Sequence, residues 1–306
     1  MIYKVIHIGA NKSGSTTLQR KVFPYSSRLV YMGEDGEGYE DYRDIVNSLV
    51  TDDDIYFRFE QARALFDRFL SLAEGKTFLY SNEDIMTSRT PALCAQRLYR
   101  LMPDARILMV VRNQLTAIPS WYANHGAYLR HVPRCYFRRY VSFDSWMDYC
   151  TNFIRYSPID GFFYHRIASL YASLFGRENV HVLLYEDFVH RREKFMKDLC
   201  RILRIDADDA LRRLEGGRER RRNTDRELRY HRFRDGFFRC IPLSRYAPFG
   251  NALKRVWADY LEKGPPADGF MSDAWRKRII ELYRDDNSGL ASEYGLPLRD
   301  HGYPMD

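Results

Sequence analysis

Lys12 stands among glycines and small hydroxyl residues in the stretch IHIGANKSGSTTLQ, residues 6–19. Gly9 and Gly14 bracket it with the G-x-x-x-x-G spacing of a phosphate-cradling loop. In such a loop glycines let the backbone approach an anion, and free N–H groups at a helix start point at it. A nucleotide-hydrolysing loop carries its lysine directly after the second glycine, but here that place holds Ser15 and the cation lies two residues before Gly14. Ser13, Ser15, Thr16 and Thr17 surround it with hydroxyl donors. This set can hold an anion through several hydrogen bonds, with Lys12 on the crest of the loop reaching across the anion rather than along it.

Two other places carry side chains suited to the same chemistry. Arg112 ends the apolar run RILMVVR (106–112), and Ser120 follows eight residues later in VVRNQLTAIPSWY. A guanidinium fork matches a phosphate, and a helix-borne hydroxyl supplies a further donor. Pro119 predicts a broken or kinked helix at that point. The run KTFLYS leads into Asn82, Glu83 and Asp84, which puts two carboxylates at a strand end. A carboxylate there can take a proton from an acceptor hydroxyl, cap a helix or pair with an arginine. His7 falls inside the first apolar run and reads as core, while His125 and His131 read as surface or packing residues.

The elements that must position these residues follow from the apolar spacing. YKVIHIG (3–9), TFLYS (77–81), RILMVVR (106–112) and NVHVLLYE (179–186) read as buried strands. FEQARALFDRFLSLA (59–73), PALCAQRLYRLM (91–102) and REKFMKDLCRIL (192–203) show helical spacing between them. Strand and helix in alternation predict an α/β fold with a parallel sheet covered by helices on both faces. Ligands of such sheets bind beyond the C-terminal strand ends, which here are residues 10–17, 82–84, 112 onward and 185–188. Two stretches break the alternation. Residues 125–166 are rich in aromatic and basic side chains, and 217–239 carry a dense arginine run. No internal repeat or Gly/Ser linker is present, so one domain with insertions is expected.

Composition narrows the class. The 306 residues are 45% hydrophobic and 15% aromatic, enough for a sizeable core. No run approaches the roughly 18 apolar residues of a membrane span, and a strand at the start leaves no signal-peptide pattern, so a cytoplasmic protein is expected. Cys94, Cys135, Cys150, Cys200 and Cys240 are widely spaced without a C-x-x-C pair, which predicts free thiols rather than disulfides or a zinc site. A net charge of +7 favours anionic partners.

Taken together, KSGSTTLQ and RNQLTAIPS resemble the signatures of the PAPS-dependent sulfotransferases, PAPS being 3′-phosphoadenosine 5′-phosphosulfate. The resemblance runs from about residue 3 to 125, with a weaker echo at HVLLYEDF, where Tyr185, Glu186 and Asp187 read as architectural. It implies a P-loop-like three-layer fold: core about 1–125 and 160–225, an insert about 126–160 and a C-terminal helical part about 226–306. It also implies that Lys12, Ser13, Gly14, Ser15, Thr16 and Thr17 hold the 5′-phosphosulfate and that Arg112 and Ser120 hold the 3′-phosphate. Arg221, Arg222 and Asn223 would close over that phosphate, Trp121 or Tyr185 would stack on adenine, and no metal is required. Lys12 would stabilise the leaving oxygen, and Glu83 would act as the base in the manner of the glutamate-using branches, with Asp84 the alternative.

PAP, the desulfated nucleotide, would be the product. The acceptor would be a hydroxyl of a carbohydrate or glycoconjugate, with an anionic glycan or glycolipid suited to Tyr128, Arg130, His131, Arg134, Tyr136, Phe137, Arg138 and Arg139. An aromatic–basic stripe is also the pattern of a peripheral membrane contact, which would set the protein at the inner membrane surface. Two other classes stay open on the residues alone. A P-loop kinase or NTPase would need magnesium and a lysine after Gly14, and a basic nucleic-acid-binding protein would need a binding module that the sequence does not offer.

Overall fold

The computed structural model describes residues 2–10, 12–126, 141–214, 224–230, 260–261, 263–265 and 269–305. The apolar runs form β1 (Tyr3–His7), β3 (Thr77–Ser81), β4 (Arg106–Val111) and β5 (Val180–Leu184). A fifth strand, β2 (Leu29–Gly33), was not foreseen; it lies at one edge of the sheet. The order across the sheet is β2-β3-β1-β4-β5, with all pairings parallel. The chain therefore leaves central β1 for one edge, returns beside it as β3, then crosses to its other side as β4. A ligand crevice belongs at that reversal.

Both faces are covered. Val5, Leu79, Leu108 and Val110 join Leu18 and Val22 of α1 (Ser15–Lys21) and Phe195, Met196 and Leu199 of α9 (Arg192–Leu203) in one cluster. Alternate residues turn the other way, where Phe78 and Tyr80 meet Phe66 of α3 (Phe59–Ser71) at ring distances of 6.1 and 5.2 Å. This period of two, with helices on each side, makes the three layers. α2 (Tyr39–Thr51), α4 (Pro91–Leu101) and α7 (Tyr164–Phe175) complete the second face, α8 (Tyr185–His190) leads into α9, and α10 (Ala207–Arg213) follows it. Among the described residues no helix is long and apolar enough to cross a membrane.

Packing divides the chain, as far as it is described, into two units. The first comprises Met1–Gln114, Asp160–Arg220 and Ile280–Asp306 and contains the sheet; the second comprises Leu115–Ile159 and Arg221–Ile279. In the second, Ser142 caps α6 (Phe143–Asn152) by accepting from Ser145 N. Tyr122 packs there against Phe143, Trp146 and Phe270 at 5.2–5.5 Å and donates its hydroxyl to Val141 O. Cys94, Cys150 and Cys200 are buried free thiols, and Cys135 and Cys240 lie outside the described residues.

Candidate active site

Three adjacent strands deliver the candidate residues. β1 leads to the loop with Lys12, β3 on one side leads to Glu83, and β4 on the other leads to Arg112. His7 pairs with Ser81 and with Leu108, so β1 and β3 end level while β4 runs three residues further, to Val111. Pairing continues past β1, with Ile8 N donating to Leu108 O at 2.9 Å and Ala10 N to Val110 O at 2.8 Å. The loop thus opens only after Ala10.

Its geometry is that of a tight cradle. Lys12 has φ 70° and Gly14 φ 85°, two left-handed residues around Ser13. Gly14 is the N-cap of α1 and has no side chain to cover the first turn, whose leading N–H groups have no partner within the helix. A Cβ at Gly14 would be strained by the left-handed backbone and would also crowd the Phe188 and Tyr185 rings, 3.1 and 3.2 Å away. The hydroxyls divide into two kinds. Ser13 and Ser15 are buried, and Ser13 Oγ donates to Ala10 O, bracing the loop. Thr16 and Thr17 are only partly buried, as is Lys12.

Arg112 is nearly buried, and its Nη1 donates to Lys12 O at 2.7 Å. Its guanidinium lies over the Tyr185 ring, 4.8 Å from the centroid. The structure thus brings Arg112 and Lys12 together, and the guanidinium fixes the crest of the loop. Arg112, Asn113 and Gln114 are each held from distant parts of the chain. Tyr164 Oη donates to Arg112 O at 2.7 Å, and burial raises its pKa far above the phenol range, keeping it a donor. Asn113 N donates to Glu186, whose other oxygen accepts from Tyr303 Oη at 2.8 Å. Gln114 and Asn287 exchange amide hydrogen bonds of 2.8 and 3.1 Å.

Glu83 opens a short 3-10 turn, Glu83–Ile85, capped by Asn82 Oδ1 accepting from Asp84 N at 2.9 Å. Asn82 N donates to His7 O at 3.1 Å, which keeps this turn beside the end of β1. Glu83 is partly buried, whereas Asp84 is exposed. Ser120 is buried on α5 (Gln114–Trp121), in the second unit, and its carbonyl accepts from Asn124. Pro119 sits within this helix, which passes into a π-helical turn at Tyr122–Gly126. Arg221, Arg222 and Asn223 lie outside the described residues, as do Tyr128, Arg130, His131, Arg134, Tyr136, Phe137, Arg138 and Arg139. Of the residues considered for adenine, Trp121 is buried, and Tyr185 is buried with one ring face covered by Arg112. Asp187 pairs with Arg191 at 2.8 Å and Lys194 at 3.1 Å, so Tyr185, Glu186 and Asp187 all serve as supports.

His7 is core, as its place in the first apolar run implies; its link to Gln19 and Ser81 is what the sequence leaves unread. His7 is fully buried with Nδ1 2.8 Å from Ser81 Oγ, and Gln19 Nε2 donates to the same hydroxyl at 3.0 Å. The available signal was positional: a polar residue closes each of two neighbouring apolar strands. Tyr164, Asn287 and Tyr303 carried no such signal.

A family model described as the sulfotransferase family matches residues 37–209, more than half of the chain. The match takes in Glu83, Arg112 and Ser120 but begins after the loop, so the case for Lys12 rests on its own surroundings. No curated protein sequence matches the chain. A crystal structure of a sulfotransferase from Alicyclobacillus acidocaldarius is similar over 96% of this chain and 96% of its own, at 17% identity and a TM-score of 0.54. At that identity the likeness is one of fold. A sulfotransferase domain from the curacin biosynthetic pathway is similar over 87% of this chain and 99% of its own, at 13% identity and a TM-score of 0.42, too low to carry an argument.

Proposed function

The chain belongs to the sulfotransferase family, and from that premise we propose that it moves a sulfuryl group from PAPS to a hydroxyl of a carbohydrate or glycoconjugate. One observation carries the reading. Three neighbouring parallel strands end in a carboxylate, a lysine-bearing anion loop and an arginine bonded to that loop.

PAPS supplies the sulfuryl group on a phosphate leaving group. The chain's part is positioning and charge stabilisation, as in phosphoryl transfer. The N–H groups at the start of α1, with Thr16 and Thr17, bind the 5′ end; Ser13 holds the loop in shape. Lys12 offsets the negative charge that develops on the leaving oxygen as the S–O bond breaks. Arg112 keeps the Lys12 backbone in place and, with Ser120, Arg221, Arg222 and Asn223, serves the 3′-phosphate. Glu83 takes the proton from the acceptor hydroxyl as its oxygen bonds to sulfur, a role that Asp84 fills less well because it is exposed. General-base catalysis of this kind contributes about 10²–10⁴-fold. The carbohydrate acceptor is supported by the aromatic and basic residue types in 125–166.

Isothermal titration with PAP tests the donor site. Saturable binding is expected in the wild type, weakened about tenfold or more in Arg112→Ala and Lys12→Ala by loss of charge-assisted contacts. No wild-type binding at micromolar PAP, or affinity unchanged in both variants, would overturn the assignment. Glu83→Gln is expected to bind PAP normally and to lose turnover of radiolabelled PAPS with a panel of glycan acceptors. Wild-type turnover in that variant removes Glu83 from the base role.

A further inference from the structure

His7 closes β1 directly beneath the loop and is wholly buried. Ser81 Oγ accepts from Gln19 Nε2 at 3.0 Å and lies 2.8 Å from His7 Nδ1. Ser81 Oγ lies near Tyr31 as well as His7 Nδ1, so it can give its one hydrogen to either, and the tautomer of His7 follows from what Nε2 meets. Burial pushes the His7 pKa down to about 4, so near pH 7 the ring is neutral, with one nitrogen a donor and the other an acceptor.

Among the described residues Nε2 has no hydrogen-bond partner. Buried polar groups in folded proteins are almost always satisfied, so the direction of this one indicates what it serves. It faces Ser15. A Cβ at Gly9 would stand 2.6 Å from His7 Nε2 and 2.6 Å from Ser15 Oγ, so the two polar atoms flank the space that a side chain at Gly9 would fill. Ser15 Oγ in turn lies 3.3 Å from Ser13 Oγ, whose hydrogen is committed to Ala10 O. Ser15 is therefore the donor of that long pair, and its oxygen is available as an acceptor.

We infer that His7 is a positioning residue of the donor site: its Nε2–H bonds to Ser15 Oγ as Ser15 turns its own hydrogen to the 5′-phosphate of PAPS. This rests on the proposed function above. Gln19, Ser81, His7 and Ser15 then form a chain of hydrogen bonds with a single direction, ending on the anion. The chain links α1, β3 and β1, and it joins β3 two residues before Glu83. It explains why Gly9 sits over a histidine, and why an apolar sheet ends in two polar side chains.

Asparagine places its amide where Nδ1 stands, and glutamine places its amide where Nε2 stands. PAP titration is therefore expected to give His7→Gln within about threefold of wild type and His7→Asn weaker by about tenfold, the loss of one buried hydrogen bond to an anion-binding group. In a Ser15→Ala background the extra effect of His7→Asn is expected to vanish, because both changes break one chain. Thermal unfolding checks that the variants are folded. If His7→Asn does not fold, Ser81→Ala is the smaller change, and it too is expected to weaken PAP binding. Folded His7→Asn binding PAP as wild type does, glutamine weaker than asparagine, additivity with Ser15→Ala, or, where His7→Asn does not fold, Ser81→Ala binding PAP as wild type does, each overturns the role of His7. Failure of the donor-site reading itself is distinct, since wild type would then not bind PAP.

Discussion

His7 also sets a pH limit on the protein. Its pKa is lowered by burial from 6.5 to about 4. Above pH 6.5 the ring is neutral in both folded and unfolded chains and costs nothing. As pH falls below 6.5 the unfolded chain takes up a proton that the folded chain refuses, so stability drops until both are protonated near pH 4. The full loss is about 3 kcal/mol. Urea unfolding of wild type and His7→Gln between pH 7 and 4 isolates it: the wild-type curve is expected to fall more steeply with acid, and parallel curves would contradict the assignment. The buried thiols behave differently. Burial pushes Cys94 and Cys200 up to about 12, so they remain protonated and inert in the same range.

At the scale of elements, two side-chain choices decide how the ends of helices meet the sheet. Arg97 on α4 is buried, with Nη1 donating to Asp52 O at 2.7 Å and Leu49 O at 3.0 Å. It closes the C-terminal end of α2, whose last carbonyls would otherwise be orphaned. Its pair with Asp54 adds little, because that carboxylate is 72% exposed. Arg97→Ala is expected to destabilise by about 3 kcal/mol, measured by urea unfolding, while Asp54→Asn changes stability by less than about 1 kcal/mol. Gly14→Ala places a Cβ on a left-handed residue against Phe188, and is expected to cost about 1–2 kcal/mol and to weaken PAP binding. Wild-type PAP affinity there would show that the cradle is not needed. These elements also show what was legible in advance. Four strands stood out as apolar runs, three of them central to the sheet, and the loop stood out because glycine, lysine and hydroxyls lay close in sequence. β2, as long as β1 and β3 but at the sheet edge, was missed, and the polar ends of β1 and β3 were absorbed into the core reading of their strands.

At the scale of the whole molecule, the residues that hold Arg112 come from far along the chain, and no spacing rule could have found them. Tyr164, Glu186 and Asn287 converge on Arg112–Gln114 through hydrogen bonds that span 52 to 173 positions, and Tyr303 in turn holds Glu186. Asn287, on the C-terminal helix Asp273–Tyr294, is fully buried. It exchanges amide hydrogen bonds with Gln114 and also donates to Pro304 O at 2.8 Å, while Gln114 donates to Phe162 O at 3.1 Å. Asn287→Ala would leave Gln114 half satisfied and Pro304 O without this donor, and is expected to destabilise by about 2–4 kcal/mol. Replacing Gln114 and Asn287 together with leucine removes the mismatched amide but leaves the Phe162 and Pro304 carbonyls bare, so it is expected to recover only part of that loss. Because Gln114 follows Arg112 by two residues, the single variant should also weaken PAP binding at temperatures where it is fully folded. Thermal unfolding and PAP titration on the three proteins check this. A single variant that loses stability yet binds PAP as wild type does would mean that the C-terminal helix stabilises the sheet without positioning the arginine.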